Sequence, residues 1–213
     1  DSADVKGREF RCIRYSQPGI KTERLSRSIN PYPFVPPSGS SMDDRCSEIF
    51  SIQVAGLAKR IQFTGCSGAV VGISGGLDST LALLVAAKTF DALHLPRKRI
   101  HAITMPGFGT TDRTHNNSIN LCRILNVHLQ EISIVGASLQ HFRDIGQDPD
   151  TRDVTYENSQ ARERTQILMD IANKVGGIVI GTGDLSEIAL GWSTYNGDHM
   201  SMYAVNCSVP KTL

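Results

Sequence analysis

The stretch GAVVGISGGLDSTLALLVAAKTF, residues 68–90, decides the fold. Its first apolar segment, 69–73, has the length of a buried strand, and its second, 79–90, carries apolar residues at helical spacing. The glycine-rich turn between them presents backbone N–H groups that suit an anion, usually phosphate. Asp78 lies in this turn and should repel such a ligand. The carboxylate therefore needs a chemical explanation.

The rest of the chain alternates helical and strand patterns. Helices are predicted at 46–62, 115–125 and 158–174, strands at 100–105, 127–134 and 176–183, and loops at 106–114 and 143–155. The first helix is expected to bury one face, formed by Ile49, Ile52, Gln53, Leu57 and Ile61. Ser41 or Asp43 could cap its start.

This alternation predicts an α/β fold with a doubly wound parallel sheet, because parallel strands are joined through right-handed helical crossovers. Ligands bind such sheets at the carboxyl ends of the strands. Three segments should converge there: SGGLDS at 74–79, MPGFGTTD at 105–112 and GTGDLSE at 181–187.

Composition narrows the class of protein. With 213 residues, 40% of them hydrophobic, the chain can form one domain with a full core. A net charge of +1 argues against nucleic acid or an anionic membrane as partner. The five cysteines form no C-x-x-C pair, which favours reduced thiols and a cytoplasmic location. No apolar segment approaches the roughly 20 residues that cross a bilayer.

Two common nucleotide motifs do not fit. A Walker A loop starting at Gly72 would need a glycine at position 77 and a lysine at position 78, where the chain has Leu77 and Asp78. The segment 181–186 has only the first two glycines of a dinucleotide fingerprint. By itself, the turn at 74–79 could simply be a tight turn in which Asp78 and Ser79 cap a helix.

SGGLDS, between an apolar strand and an apolar helix, resembles the pyrophosphate-binding loop (PP-loop) of the ATP pyrophosphatases. That resemblance implies a sheet of the adenine-nucleotide α-hydrolase type and a loop that holds pyrophosphate through backbone N–H groups and the hydroxyls of Ser74 and Ser79. A Mg²⁺ between the Asp78 carboxylate and the phosphate oxygens would remove the repulsion, with Glu187 as a second carboxylate.

The segment 155–213 closely resembles NAD⁺ synthetase of the glutamine-dependent bacterial type, and the similarity extends from about residue 42 to the end. In that family the carboxylate of deamido-NAD⁺ attacks the α-phosphate of ATP, pyrophosphate leaves, and ammonia displaces AMP. The resemblance implies ATP contacts at Gly72, Ile73, Ser74, Gly75, Gly76, Leu77, Asp78, Ser79, Arg162 and Thr182. It implies deamido-NAD⁺ contacts at Asn158, Glu187, Trp192, Ser193, Thr194 and Tyr195. Asp198 and Lys211 would be catalytic, and Asp78 and Glu187 would bind Mg²⁺.

The chain also departs from that family. Ammonia-only members carry an aspartate four residues after the position of Asp198, where this chain has Met202. Glutamine-dependent members have a large N-terminal amidase domain that residues 1–41 are too short to form, so Cys12 is not expected to be a nucleophile. We expect residues 1–41 to be the end of that domain and a linker, and 42–213 to be a synthetase domain that is incomplete at its C-terminus. The resemblance implies a homodimer or higher oligomer that receives ammonia from the amidase (glutaminase) domain.

Two other hypotheses remain. The same loop could serve another acceptor, as in GMP synthetase, asparagine synthetase or a tRNA-thiolating enzyme, although the net charge argues against tRNA. The chain could also be a non-catalytic adenine-nucleotide-binding module, because a fold does not fix a function. NAD⁺ synthesis is favoured over another acceptor by the segments YENSQARERTQ and ALGWSTYNGDHMS. The non-catalytic module is disfavoured by the presence of Ser74, Asp78, Glu187 and Lys211.

Overall fold

The computed structural model describes residues 11, 13–16, 19, 26–32, 35, 39–108 and 112–213. The chain divides into two compact units, 1–33 and 34–213. Cys12, most of the expected linker and part of the loop predicted at 106–114 lie outside the described residues. Within the described part, no helix is both long enough and apolar enough to cross a membrane.

The second unit alternates helices and strands. In chain order its elements are α1 (Ser40–Thr64), β1 (Gly68–Gly72), α2 (Leu77–Ala92), β2 (Ile100–Thr104), α3 (Asp112–Leu125), β3 (His128–Glu131), α4 (Val135–Ile145), α5 (Val154–Val175), β4 (Gly177–Gly181), α6 (Leu185–Leu190) and β5 (Tyr203–Ala204). A short 3₁₀ turn, Arg97–Arg99, leads into β2.

In the part of the chain that the structure describes, five strands form one parallel sheet in the order β3-β2-β1-β4-β5. In the register of the central strands, Val71 lies beside Ala102 of β2 and Ile180 of β4. The chain runs outward from β1 to β3 and then returns to place β4 on the other side of β1. The switch point between β1 and β4 is where such sheets bind ligands, and the predicted doubly wound α/β fold is confirmed.

Alternation along the strands divides the core between the two faces of the sheet. On one face Val71 and Ala102 belong to a cluster with Leu57 of α1 and Phe90 of α2, all four fully buried. On the other face Val70, Ile103 and Val179 pack with residues of α5. The sheet is thereby covered on both sides, and its carboxyl-end edge is left for the loops.

Several local predictions were wrong. Gly39, not Ser41 or Asp43, occupies the N-cap of α1 and makes no side-chain cap bond. Ile52 is 64% exposed, because the buried positions of α1 recur every four residues from Gln53 and Ile52 lies about 100° away from them. The loop predicted at 143–155 is shorter, because α4 continues to Ile145 and α5 begins at Val154.

Candidate active site

The phosphate-loop candidate lies between β1 and α2, as the sequence predicts. Gly75 has φ +80°, and a Cβ there would collide with the Thr114 carbonyl oxygen of α3, so the position requires glycine. The Ser74 and Ser79 hydroxyl oxygens lie 3.2 Å apart, and the Gly76 N–H donates to Ser74 Oγ at 3.3 Å. The loop leads directly into the 16-residue helix α2, whose N-terminus favours an anion.

A cavity of about 750 Å³ opens at the carboxyl ends of β1, β2 and β4. Eight of the predicted site residues line it: Gly72, Ile73, Ser74, Asp78, Ser79, Thr182, Thr194 and Asp198. Its volume suits a nucleotide-sized ligand. The structure therefore brings the predicted phosphate loop and part of the predicted substrate site to one cavity.

Three carboxylates meet beside the loop. Asp78, Asp184 and Glu187 place one oxygen each within 4.8 Å of one another. Asp184 is the N-cap of α6 and accepts from the Glu187 N–H at 2.8 Å, while Glu187 Oε2 accepts from the Asp184 N–H at 3.1 Å. This reciprocal capping box fixes both side chains at the start of α6.

The ammonium of Lys211 lies among these carboxylates. Its Nζ is 2.9 Å from Asp78 Oδ2, 3.0 Å from Asp184 Oδ2 and 3.7 Å from Glu187 Oε1. Asp184 is only 3% exposed, and its Oδ2 pairs with the Lys211 ammonium. The carboxylate cluster is thus arranged around a positive charge.

The charged groups in this cluster shift each other's pKa values. Hydrogen bonds to Asp78 and then Asp184 raise the pKa of Lys211 above its ordinary value, although partial burial opposes the shift. Burial acts to raise the pKa of Asp184, but the Glu187 N–H and the Lys211 ammonium together outweigh it and hold that pKa below its ordinary value. Lys211 and Asp184 are therefore both charged near neutral pH.

Two arginines of α5 contact the segment after α6. Arg164 lines the cavity and pairs with Asp198, its Nε lying 3.3 Å from Asp198 Oδ1. Arg162 donates to the Tyr195 carbonyl oxygen at 3.2 Å through Nη2. Thr165 Oγ1 donates to the Gly197 carbonyl oxygen at 2.9 Å. These contacts place the 194–198 turn at the cavity wall.

The other predicted site residues lie outside the cavity lining. Trp192 and Tyr195 are 80% and 73% exposed, and Ser193 is also exposed. Asn158 is half-buried on α5. In the phosphate loop, Leu77 points largely to solvent at 69% exposure.

Sequence reasoning missed Asp184 and Arg164. Asp184 was recognisable as the first residue of a D-x-x-E capping box, which places two carboxylates at one helix start. Arg164 lies two residues from Arg162, and local sequence does not tell which of the two side chains faces the cavity.

The NAD synthase family model matches residues 49–212. A glutamine-dependent NAD(+) synthetase of Mycobacterium leprae is 46% identical over 211 residues, which are 96% of this chain and 31% of that relative. This chain therefore spans about a third of the relative's length.

Solved structures agree with this similarity. The glutamine-dependent NAD⁺ synthetase of Acinetobacter baumannii, in complex with ADP, superposes with a TM-score of 0.72 and 29% identity, covering 78% of this chain and 31% of that one. The NMN synthetase of Francisella tularensis gives 0.70 and 28%, covering 78% and 66%. By the extent of the sequence match and by its fold, the chain belongs to the NAD synthase family.

Proposed function

We propose that this chain carries the synthetase centre of a glutamine-dependent NAD⁺ synthetase. It uses ATP to adenylate deamido-NAD⁺ and then converts the acyl adenylate into an amide with ammonia. The observation that carries the proposal is the meeting of a phosphate-binding loop, three carboxylates and Lys211 at the β1–β4 switch point. The named activity of the 46%-identical relative supports the choice of substrate.

ATP is proposed to bind with its phosphates on the loop 72–79. The hydroxyls of Ser74 and Ser79 and the N-terminus of α2 suit the pyrophosphate, and Thr182 lines the adjoining cavity wall. The Acinetobacter relative is in complex with ADP, which supports an adenine nucleotide as a ligand. Arg162 currently binds a backbone carbonyl, so its proposed ATP contact requires its guanidinium to change partner.

The carboxylate cluster fits a Mg²⁺ ion. Mg²⁺ prefers oxygen ligands and is held by one or two carboxylates together with substrate phosphates. Asp78 and Glu187 can supply these ligands, and the buried Asp184 Oδ2, which now pairs with the Lys211 ammonium, offers a third oxygen. When bound, the ion would offset the negative charge on the phosphate oxygens.

The remaining chemistry falls to side chains of this chain. In the first half-reaction a carboxylate oxygen of deamido-NAD⁺ bonds to the α-phosphorus, and the bond from that phosphorus to the bridging oxygen breaks, releasing pyrophosphate. Lys211, freed from the carboxylates, is proposed to stabilise the charge that develops on the phosphoryl oxygens.

In the second half-reaction the ammonia nitrogen bonds to the acyl carbon and AMP leaves. Asp198 is proposed to orient ammonia and take up a proton. Its carboxylate lies at the cavity wall beside Arg164, which can hold it in place through their ion pair. The ion pair therefore holds a proton acceptor at the cavity wall.

Deamido-NAD⁺ is proposed to contact Asn158, Glu187, Trp192, Ser193, Thr194 and Tyr195. Trp192 and Tyr195 are aromatic and exposed, so a flat ring can stack on either one. The carboxylate of deamido-NAD⁺, which the reaction converts into a carboxamide, would then extend toward Thr194 and Asp198 in the cavity.

The ammonia source and assembly state are proposed from the relatives. We propose that an amidase domain preceding residue 42 delivers ammonia from glutamine, since the chain corresponds to 31% of a glutamine-dependent relative. We also propose a homodimer in the cytoplasm. Sedimentation velocity tests the assembly, and a monomer at micromolar concentration would contradict it.

The activity is tested by NAD⁺ formation from ATP and deamido-NAD⁺ with Mg²⁺, using ammonium or glutamine as donor. We expect the synthetase domain, completed by the C-terminal segment that the sequence analysis expects to follow, to use ammonium, and we expect the 213-residue chain not to use glutamine. Nicotinate mononucleotide, which lacks the AMP half, is run in parallel because an NMN synthetase has the same fold at 28% identity. Faster turnover of the mononucleotide would contradict the proposed substrate, and binding of ATP without turnover of any acid would favour the non-catalytic module.

A further inference from the structure

The buried side chain of Asn206 connects two of the loops that form the site. Asn206 follows β5 in a turn and is 1% exposed. Its Nδ2 donates to the Asp78 carbonyl oxygen at 2.9 Å and to the Thr182 carbonyl oxygen at 3.1 Å. One amide nitrogen thus uses both of its protons to join the start of α2 to the end of β4.

Each of these carbonyls belongs to a segment that carries a carboxylate of the proposed cation site. Asp78 supplies its own carboxylate, and Thr182 precedes Asp184 by two residues and Glu187 by five. A hydroxyl has a single proton and could satisfy only one of the carbonyls, whereas an amide nitrogen satisfies both. The position therefore selects an amide side chain.

Gln53 of α1 holds Asn206 in this orientation. Its Nε2 donates to Asn206 Oδ1 at 3.1 Å and to the Val205 carbonyl oxygen at 2.9 Å, and Gln53 is 8% exposed. A flipped Asn206 amide would place Oδ1 against two carbonyl oxygens and its nitrogen against the Gln53 donor. The hydrogen-bond network therefore fixes which end of the amide faces the two loops.

We propose that Asn206 is a positioning residue that sets the separation of the Asp78 carboxylate from those of Asp184 and Glu187, and so the affinity of the site for a divalent cation. The proposal rests on the Mg²⁺ site described under the proposed function. Gln53 supports it from the opposite side of Asn206.

The spacing matters because Mg²⁺ requires near-octahedral oxygens at about 2.0–2.1 Å. Two other bonds hold the C-terminal segment to α6, from the Leu185 N–H to the Val209 carbonyl at 3.0 Å and from the Lys211 N–H to Ser186 Oγ at 3.0 Å. Neither of these two involves α2. Loss of the Asn206 amide would thus leave α6 in place while the start of α2 loses a link to β4.

The test is a Mn²⁺ titration of the purified protein without nucleotide, in which electron paramagnetic resonance measures the unbound Mn²⁺. We expect Asn206→Ala to raise the Kd for Mn²⁺ by about 10- to 100-fold, the usual effect of removing a group that orients metal ligands. We expect Gln53→Ala, which leaves both Asn206 bonds to the loops, to raise it less. High Mg²⁺ should restore most of the adenylation rate of Asn206→Ala, because its carboxylates remain, but not that of Asp78→Asn.

Thr89→Val is the matched control. Thr89 is fully buried in α2 and donates to the Val85 carbonyl at 2.8 Å, so the variant removes a buried hydrogen bond that contacts neither Asn206 nor the carboxylates. It should lower Tm without changing the Kd for Mn²⁺. If Asn206→Ala lowers Tm but leaves that Kd within twofold of wild type, the proposal is wrong.

Two further outcomes are decisive. If Asn206→Ala does not fold, Gln53→Ala carries the test, and a Kd for Mn²⁺ equal to wild type would overturn the proposal. If wild-type protein binds ATP but no Mn²⁺, the metal site itself is wrong, and the role of Asn206 falls with it.

Discussion

Replacing Lys211 with methionine should make divalent cations bind more tightly while making adenylation slower. The ammonium now lies 2.9 Å from Asp78, 3.0 Å from Asp184 and 3.7 Å from Glu187. A cation that uses the same oxygens must displace it, because two positive charges would repel each other there. Methionine keeps most of the side-chain length and removes the charge.

The magnitude follows from the exposure of the lysine. The Lys211 side chain is 47% exposed, so its ion pairs belong on the surface scale of about 0.2–1 kcal/mol each. Two close contacts and one longer contact then give about 1–2 kcal/mol. Because 1.4 kcal/mol corresponds to a tenfold change, the Kd for Mn²⁺ should fall roughly 5- to 30-fold.

The first assay is a Mn²⁺ titration without nucleotide, in which electron paramagnetic resonance measures the unbound Mn²⁺. The second is the rate of adenylation at saturating substrates. The rate should fall by about 10²- to 10³-fold, as on removing one group that stabilises transition-state charge. Lys59→Met, an exposed lysine of α1, controls for the change in net charge and should alter neither quantity. Weaker or unchanged Mn²⁺ binding in Lys211→Met would refute the competition between lysine and cation.

Three further changes separate charge from packing. Asp78→Asn should reduce adenylation by at least about 10²-fold at a nearly unchanged Tm, because it removes charge and conserves shape; a normal pyrophosphate-exchange rate would contradict the metal site. The pKa of Asp184 is lower in the folded state than in the unfolded chain. Its charge therefore stabilises the fold above the ordinary pKa of an aspartate, and this stabilisation is lost as the pH falls through the lowered pKa. Urea unfolding between about pH 5 and pH 2.5 should therefore show a larger loss for wild type than for Asp184→Asn, and equal losses would refute this. Trp192→Ala should raise KM for deamido-NAD⁺ by about 2- to 10-fold through lost stacking and leave KM for ATP unchanged; a change in the latter alone would place Trp192 in the ATP site.

Local patterns sufficed to predict the order of strands and helices around the phosphate loop. The strand, turn and helix at 68–90 are encoded within 23 consecutive residues, so periodicity and glycine placement identify them. The same reasoning found Asp78 and Glu187, because the carboxyl ends of parallel strands meet at one edge of the sheet. Helix α4 was missed although Ser138 and Phe142 are buried four residues apart on it, as one helical face requires.

The connections between distant segments could not be predicted. Gln53 contacts Asn206 across 153 positions, and Asn206 contacts the Asp78 carbonyl across 128. A single glutamine or asparagine carries no periodic signal, and its partners are backbone atoms that every residue has. Lys211 was expected to be catalytic, and its ion pairs with the carboxylates depend on how the C-terminal segment folds over α6.

Exchange of labelled pyrophosphate into ATP, measured with and without deamido-NAD⁺, tests the central claim most directly. The exchange requires reversible adenylation of the acid, and it needs neither ammonia nor an amidase domain. We predict that the purified protein with Mg²⁺ exchanges pyrophosphate when deamido-NAD⁺ is present and not when it is omitted. Exchange that is independent of deamido-NAD⁺, or no exchange by a protein that binds both ligands, would contradict the account.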